Sequence, residues 1–355
     1  MYVDKKMSED SSSAALTTAT DDVASTTMAS SSPYDSGFYF QYVVVVIGVV
    51  GTATNALILY AMVASKEHKK HFLIFNQNAL DLYCSLFLVI IFTIKLCNIN
   101  YTGTVWLCII FHRDNLLWAS ILGSAINLIS ITIERYIKVV HPNRSKKMLR
   151  KWVIWSAAAF AWIAPIVYKM ALVISSSHFN FIDGVCLNYV VFESEMAALI
   201  HGLWNFGSFM VFVICVFMFC YGKILVVICR QARVMAGHSG PGSSTSQAQS
   251  SRIQTNVVKT MILVSAFYVI TWIPSYIYYL LLHFIPDIPN AVYFVTTFTG
   301  FFYVSANPFI YTLKFDPVRR ILVGLTPWKK SEQAGESVER PAPGNATSRT
   351  THQRN

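Results

Sequence analysis

A chain of 355 residues that is 54% hydrophobic and only 13% charged lies outside the range of water-soluble domains, and the balance predicts a membrane protein. Seven cysteines, 16 glycines and 12 prolines are too few for a disulfide-dense scaffold or a collagenous chain. The net charge of +10 comes with no zinc-finger spacing, basic heptad or aromatic RNA-binding signature, which excludes nucleic acid as a partner; the basic residues sit between apolar runs, as in a chain oriented by a lipid bilayer.

Residues 1–38, rich in Ser, Thr, Ala and Asp, predict a disordered extracellular tail. Crossing a hydrocarbon layer of about 30 Å takes about 20 mostly apolar helical residues. Seven runs qualify: Tyr39–Val63, Leu73–Leu96, Asn115–Val139, Trp152–Ile174, Met196–Val227, Val257–Phe284 and Ala291–Leu313. Asp81 lies in the middle of the second, where a carboxylate costs at least about 2.5 kcal/mol unless it faces the bundle interior. Asn55, Ser124 and Asn307 fall at comparable depth in the first, third and seventh runs and predict a polar cluster around it. That cluster is either a hydrogen-bonded knot or a cation or proton site.

The following loop carries Cys97, a glycosylation sequon at Asn100, Cys108 and, at the mouth of the third run, Asp114. Glu134-Arg135-Tyr136 closes the third run, readable as an anchoring pair at a helix end or as a switch that changes partners. The fourth leads to a loop with Cys186, which with Cys108 forms the expected disulfide on the oxidising side, Cys97 being the alternative partner. Tyr221 lies in the fifth run, and Gly237–Gln249 reads as a flexible linker. Pro274 in Thr271-Trp272-Ile273-Pro274 and Pro308 in Asn307-Pro308-Phe309-Ile310-Tyr311 remove backbone donors within the sixth and seventh runs and predict kinks. Lys and Arg concentrate after the odd-numbered runs, which places the N-terminus outside and the C-terminus in the cytoplasm of a multi-pass plasma-membrane protein. Residues 39–325 form the membrane domain and 326–355 a disordered cytoplasmic tail.

These elements in this order resemble the rhodopsin-like (class A) family of G-protein-coupled receptors: Gly51 and Asn55, Leu80-Asp81, Glu134-Arg135-Tyr136 with Pro142, Trp155 and Pro165, Tyr221, Trp272-Ile273-Pro274, and Asn307-Pro308-Phe309-Ile310-Tyr311. Phe315 to Leu325 resembles the family's amphipathic helix on the inner membrane face. The resemblance implies an all-α membrane protein, a seven-transmembrane helix bundle with a short eighth helix. It further implies a receptor, not an enzyme, that takes an extracellular ligand and activates heterotrimeric G proteins. Glu134, Arg135, Tyr136, Tyr221, Trp272, Pro274, Asn307, Pro308 and Tyr311 match the activation switches, while Asp81, Ser124 and Asn307 match a sodium pocket that would bind allosteric Na⁺. Arrestin is a further implied partner, through phosphorylation of Ser337, Thr347, Ser348, Thr350 and Thr351.

Departures from the family pattern sharpen the reading. Val213 replaces a usual Pro, Ala125 and Tyr268 replace Ile and Phe, and Gln254 stands where an acid often pairs with the third-helix Arg. Tyr303 and Val304 replace polar residues of the sodium pocket. Leu117 occupies the position of the amine receptors' Asp, so a small biogenic amine is disfavoured. Residues expected to line the ligand crevice are Asp114, Trp118, Ile121, Asn205, Trp272, Tyr276, Tyr279 and Thr297. With an acid at its rim this crevice suits a basic or amidated peptide, Asp114 receiving the basic group, and the alternative ligand is a lipid or other small apolar molecule. The alternative from another class is a transporter or channel with a mid-membrane ion site at Asp81.

Overall fold

The computed structural model describes residues 33–97, 114–182, 185–190, 194–237, 245–282, 284–285, 287–314, 319, 321–322 and 324. Uninterrupted apolar sequence leaves the backbone no water to bond, so helices that satisfy their own donors and acceptors are the solution the bilayer imposes. The order is α1 (Pro33–Ala64), a 3₁₀ turn (Glu67–Lys69), α2 (Phe72–Leu96), α3 (Asn115–Val140), α4 (Pro142–Met148) and α5 (Lys151–Ser176). A hairpin of β1 (Ser177–Ile182) and β2 (Val185–Val190) precedes α6 (Glu195–Gly202), a π-helical segment (Leu203–Ser208), α7 (Phe209–Gly237), α8 (Thr245–Leu281) and α9 (Asn290–Lys314).

Six helices among the described residues are long and apolar enough to cross a membrane. The seventh spanning helix, α9, matches them at 25 residues, its hydropathy diluted by Thr296, Thr297, Thr299, Ser305 and Asn307. Each helix turns one stripe inward: along α1, Val44, Ile47, Asn55, Ile58 and Met62 are buried while Val46, Val49 and Tyr60 are exposed, the period of 3.6 expected of a helix between protein and lipid. Burial also ranks the helices. Two-thirds (67%) of the most apolar window of α3 is buried against 17% for α5, so α3 is the central strut and α5 a peripheral one. α3 packs on α2, α5, α7 and α8, while α1 packs on α2 and α9, and α9 on α8.

Three boundaries depart from expectation. α1 begins at Pro33, inside the expected tail, because Pro is pre-organised for a first helical turn. α8 begins at Thr245, inside the expected linker: no Gly or Pro separates Thr245 from Pro274, and the Gln, Ala and Arg there are good helix formers. The loop expected after α5 contains the antiparallel hairpin, Phe181 opposite Cys186. Within the segment expected to form the eighth helix, Arg319, Ile321, Leu322 and Gly324 are helical, with Ile321 and Leu322 packed against the core.

Candidate functional site

A cavity of about 430 Å³ opens among α3, α5, the π segment, α7 and α8. Trp118 and Ile121 come from α3, Pro165, Tyr168 and Lys169 from α5, Trp204 and Phe206 from the π segment, Phe209 and Phe212 from α7, and Trp272, Ser275, Tyr276 and Tyr279 from α8. The π segment makes this wall possible, because its wider turn rotates the aromatic side chains relative to a regular helix. Phe206 stacks on Tyr279 with centroids 4.8 Å apart and planes at 12°; Trp118 meets Tyr279 edge-on at 5.6 Å. Five of the expected crevice residues, Trp118, Ile121, Trp272, Tyr276 and Tyr279, line it. Thr297 is buried but not in the lining, and the side chain of Asn205 lies outside the described residues.

Asp114 is not among the lining residues; it sits at the N-terminus of α3 with φ 54°, and its Oδ2 is 2.6 Å from Lys95 Nζ. The left-handed backbone, tolerable for an Asp, directs the carboxylate to α2, and Lys95 neutralises the charge that was expected to meet a basic ligand. Of the lining, Lys169 and the π-segment residues Trp204, Phe206 and Ser208 were not singled out from the sequence. Lys169 could have been found by the rule that singled out Asp81, since it is a charge inside an apolar run.

Trp272 belongs to the cavity and to the bend beneath it. It is 1% exposed and lies edge-on to Trp118 at 6.3 Å. A Cβ on Gly300 of α9 would come within 2.8 Å of the Trp272 ring, so glycine is what lets the indole lie against that helix. Pro274, inside α8, cannot donate to the preceding turn. Around it α8 and α9 are stitched by hydroxyls: Thr299 Oγ1 donates to the Thr271 carbonyl at 3.1 Å, and Ser275 Oγ donates to the Thr296 carbonyl. Below Trp272, Tyr268 packs edge-on to Tyr303 at 5.3 Å. Tyr268, Ala125 and Val213, all departures from the family pattern, are each 0% exposed: the small residue on α3 lies in the same packed core as the large one on α8.

Deeper still, Asp81 is fully buried. Its Oδ1 accepts from Ser124 Oγ at 2.8 Å and Gln77 Nε2 at 3.2 Å, and its Oδ2 from Asn307 Nδ2 at 2.9 Å. Gln77 Oε1 in turn accepts from Asn127 Nδ2 at 2.9 Å, Asn127 Oδ1 from Asn76 Nδ2 at 2.9 Å, and Asn76 Oδ1 from Trp162 Nε1 at 2.9 Å. The expected cluster exists, and it continues through residues that sequence reasoning did not single out. Asn55 stands apart, donating to the Gly51 and Val304 carbonyls. The Asp81 carboxylate, Ser124 Oγ and Asn307 Oδ1, which is buried without a hydrogen-bond partner, are the oxygens that would hold a sodium ion here.

At the far end of the bundle Arg135 is 5% exposed. Its Nη2 donates to His71 Nδ1 at 3.1 Å and lies 3.6 Å from Glu134 Oε2; Glu134 also pairs with Lys138. His71 Nε2 faces Glu67 Oε2 at 3.7 Å. Burial, and then the Arg135 charge, push the His71 pKa down from 6.5 to about 4, which keeps the imidazole neutral so that Nδ1 accepts from Arg135. Arg135 is thus held from α2 and α3; the side chain of Gln254 lies outside the described residues. Tyr221 OH of α7 contacts Thr132 Oγ1 of α3 at 2.9 Å and Ser265 Oγ of α8 at 2.8 Å, and donates to the Met261 carbonyl at 3.2 Å. Tyr136 is 3.4 Å from His141 Nε2 through its hydroxyl, and Pro308 lies inside α9.

Asn100, Cys108 and the side chains of Cys186 and Tyr311 lie outside the described residues, as do Ser337, Thr347, Ser348, Thr350 and Thr351. Cys97 is a free, exposed thiol and does not take up the alternative pairing.

A helical bundle with an aromatic cavity at one end, a buried carboxylate at its centre and a sequestered arginine at the other defines a class of seven-helix membrane receptors. Residues 54–311 match the family "7 transmembrane receptor (rhodopsin family)", and the chain belongs to it. The chain is 26% identical over 239 residues to the neuropeptide FF receptor 1 of Rattus norvegicus, covering 61% of this chain and 55% of that protein. Against the lysophosphatidic acid receptor 3 of Homo sapiens it is also 26% identical over 239 residues, covering 64% and 61%. Trace amine-associated receptor 7a of Mus musculus is 22% identical over 206 residues, with 56% and 57% covered. The matched region spans 55 to 61% of the length of these three relatives. The fold is that of squid rhodopsin, with a TM-score of 0.66, 17% identity and 90% of each chain covered. Family membership sets aside the transporter or channel.

Proposed function

We propose that the protein is a G-protein-coupled receptor of the plasma membrane, its N-terminus extracellular and its C-terminus cytoplasmic, that binds an extracellular ligand in the aromatic cavity and catalyses nucleotide exchange on a heterotrimeric G protein. A peptide is the favoured ligand, supported by the likeness to neuropeptide FF receptor 1 and by an aromatic lining that can take apolar side chains.

The single observation that carries this reading is the double position of Trp272, which walls the cavity and lies two residues before Pro274 inside α8. A ligand shifts an equilibrium only by binding two packings unequally. Pressure on Trp272 acts on the segment that continues to Ser265 and Met261, where Tyr221 ties α8 to α7 and α3. Releasing those bonds would let the end of α8 move away and expose Arg135. Phosphorylation of the C-terminal Ser and Thr residues, with arrestin recruitment, belongs to the same proposal. The deciding measurement is nucleotide exchange on purified G proteins of several types, driven by peptide-library fractions. Exchange that requires a peptide and is lost in Trp272→Ala supports the reading; solute or ion flux through vesicles of the pure chain with no exchange refutes it.

A further inference from the structure

Among the described residues, the cavity wall contains one charged side chain, Lys169. Ion pairs among the described residues join Glu67 to Lys70 and His71, Asp114 to Lys95, and Glu134 to Arg135 and Lys138; none includes Lys169. Its Nζ lies 5.8 Å from the centroid of the Tyr168 ring. Elsewhere the lining is overwhelmingly apolar and aromatic. Asp114, which is not among the lining residues, pairs with Lys95 through Oδ2, and its Oδ1 is buried without a hydrogen-bond partner. An ammonium beside apolar surface without a counter-ion is costly, and an anion supplied by a ligand would remove that cost. The surroundings indicate the rest of the ligand. Trp204 of the π segment and Phe212 of α7 line the cavity and are exposed, so an apolar body can lie against them while its charged end reaches Lys169.

We propose that the ligand of this cavity is an anionic amphiphile, with a carboxylate or phosphate paired to Lys169 and an apolar or aromatic body on Trp118, Phe209 and Tyr276. This rests on the reading of the cavity as the agonist site, and it reverses the charge expected of the ligand. The same chemistry has two sources: the free C-terminal carboxylate of a peptide ending in apolar residues, or an acidic lipid carrying a single chain.

The test uses the full chain in phosphatidylcholine nanodiscs, with binding read by quenching of the cavity tryptophans and by thermal shift. Probes are matched pairs: oleate and oleamide, lysophosphatidate and lysophosphatidylcholine, and a short aromatic peptide as free acid and as C-terminal amide. The acidic member of at least one pair should bind tenfold or more tightly than its twin, and the pair that responds identifies the source. Lys169→Met should abolish the preference and Lys169→Arg should retain it. Equal binding of the twins, no binding by any acidic probe, or a preference that survives Lys169→Met overturns the proposal, the lysine then only reaching for bilayer headgroups. Leu122→Trp, which fills the cavity, separates the two readings. Binding that persists in it lies elsewhere and refutes the cavity itself; binding lost in it but indifferent to Lys169 keeps the cavity and removes the anion.

Discussion

Arg135, a guanidinium at a helix end, is sequestered here by a neutral imidazole. His71 accepts from it at Nδ1, and a protonated ring would lose that acceptor and add a second positive charge. The groups facing the ring are Arg135, Glu67, Glu134 and Lys138; burial and the two cations outweigh the two acids. Because the folded pKa is depressed, from 6.5 to about 4, the folded protein binds fewer protons than the unfolded chain between those values, and stability rises with pH there. The contribution is therefore fully present above pH 6.5 and fades as pH falls toward about 4. Melting of the purified receptor should show this loss on acidification, and His71→Gln, which keeps an acceptor and does not titrate, should diminish it. An unchanged acid profile in His71→Gln would show that other groups carry the pH dependence. Sequence alone makes Arg135 visible as a charge beside an apolar run, but it cannot reveal a partner 64 positions away, because that pairing is made by helix packing.

Helices meet in this bundle through polar seams of different strength. The α2–α3 seam runs from Asp81 through Gln77, Asn127 and Asn76. Interhelical hydrogen bonds in membranes average only about 0.6 kcal/mol, but removing Gln77 also leaves a buried donor on Asn127, which costs about 1–3 kcal/mol. Gln77→Ala should thus destabilise by about 1–3 kcal/mol, and Asn127→Ala added to it should cost less than its separate effect, a non-additivity measured by a double-mutant cycle of thermal unfolding. Additive losses would mean the two amides do not act together. The α7–α8 seam at Tyr221 is smaller. Ser265→Ala removes one of its bonds, worth about 0.5–1.5 kcal/mol, and should raise ligand-free nucleotide exchange roughly 2- to 12-fold; a rate no higher than that of the parent would separate this seam from activation. Asp81 stood out in the sequence because one charge in an apolar run is conspicuous. Gln77 and Asn127 did not, since uncharged amides are tolerated in many helical contexts and only geometry shows that they form a chain.

For the whole molecule, the alternation of basic and non-basic loops predicts that an epitope at the N-terminus is stained on intact cells and one at the C-terminus only after permeabilisation. Staining of both ends on the same side would invalidate the assignment of ligand and G-protein faces. The seven spans were legible because hydrocarbon thickness sets their length. The hairpin and the early start of α8 were not, for neither is dictated by the bilayer: local propensity and turn chemistry decide them. The floor of the cavity was anticipated through Trp118, Trp272, Tyr276 and Tyr279, all on two helices. Its other wall depends on a π segment whose displaced register no amphipathic pattern announces.

A ligand that entered past the exposed Phe212 of α7 would also change what quantity the protein measures. A molecule that arrives through the lipid is sensed at its concentration in the leaflet, and each added methylene raises that concentration about fourfold for the same aqueous dose, at roughly 0.8 kcal/mol per group. Potency across a homologous series would then track oil–water partitioning, and washout would be slow because the membrane is itself the reservoir.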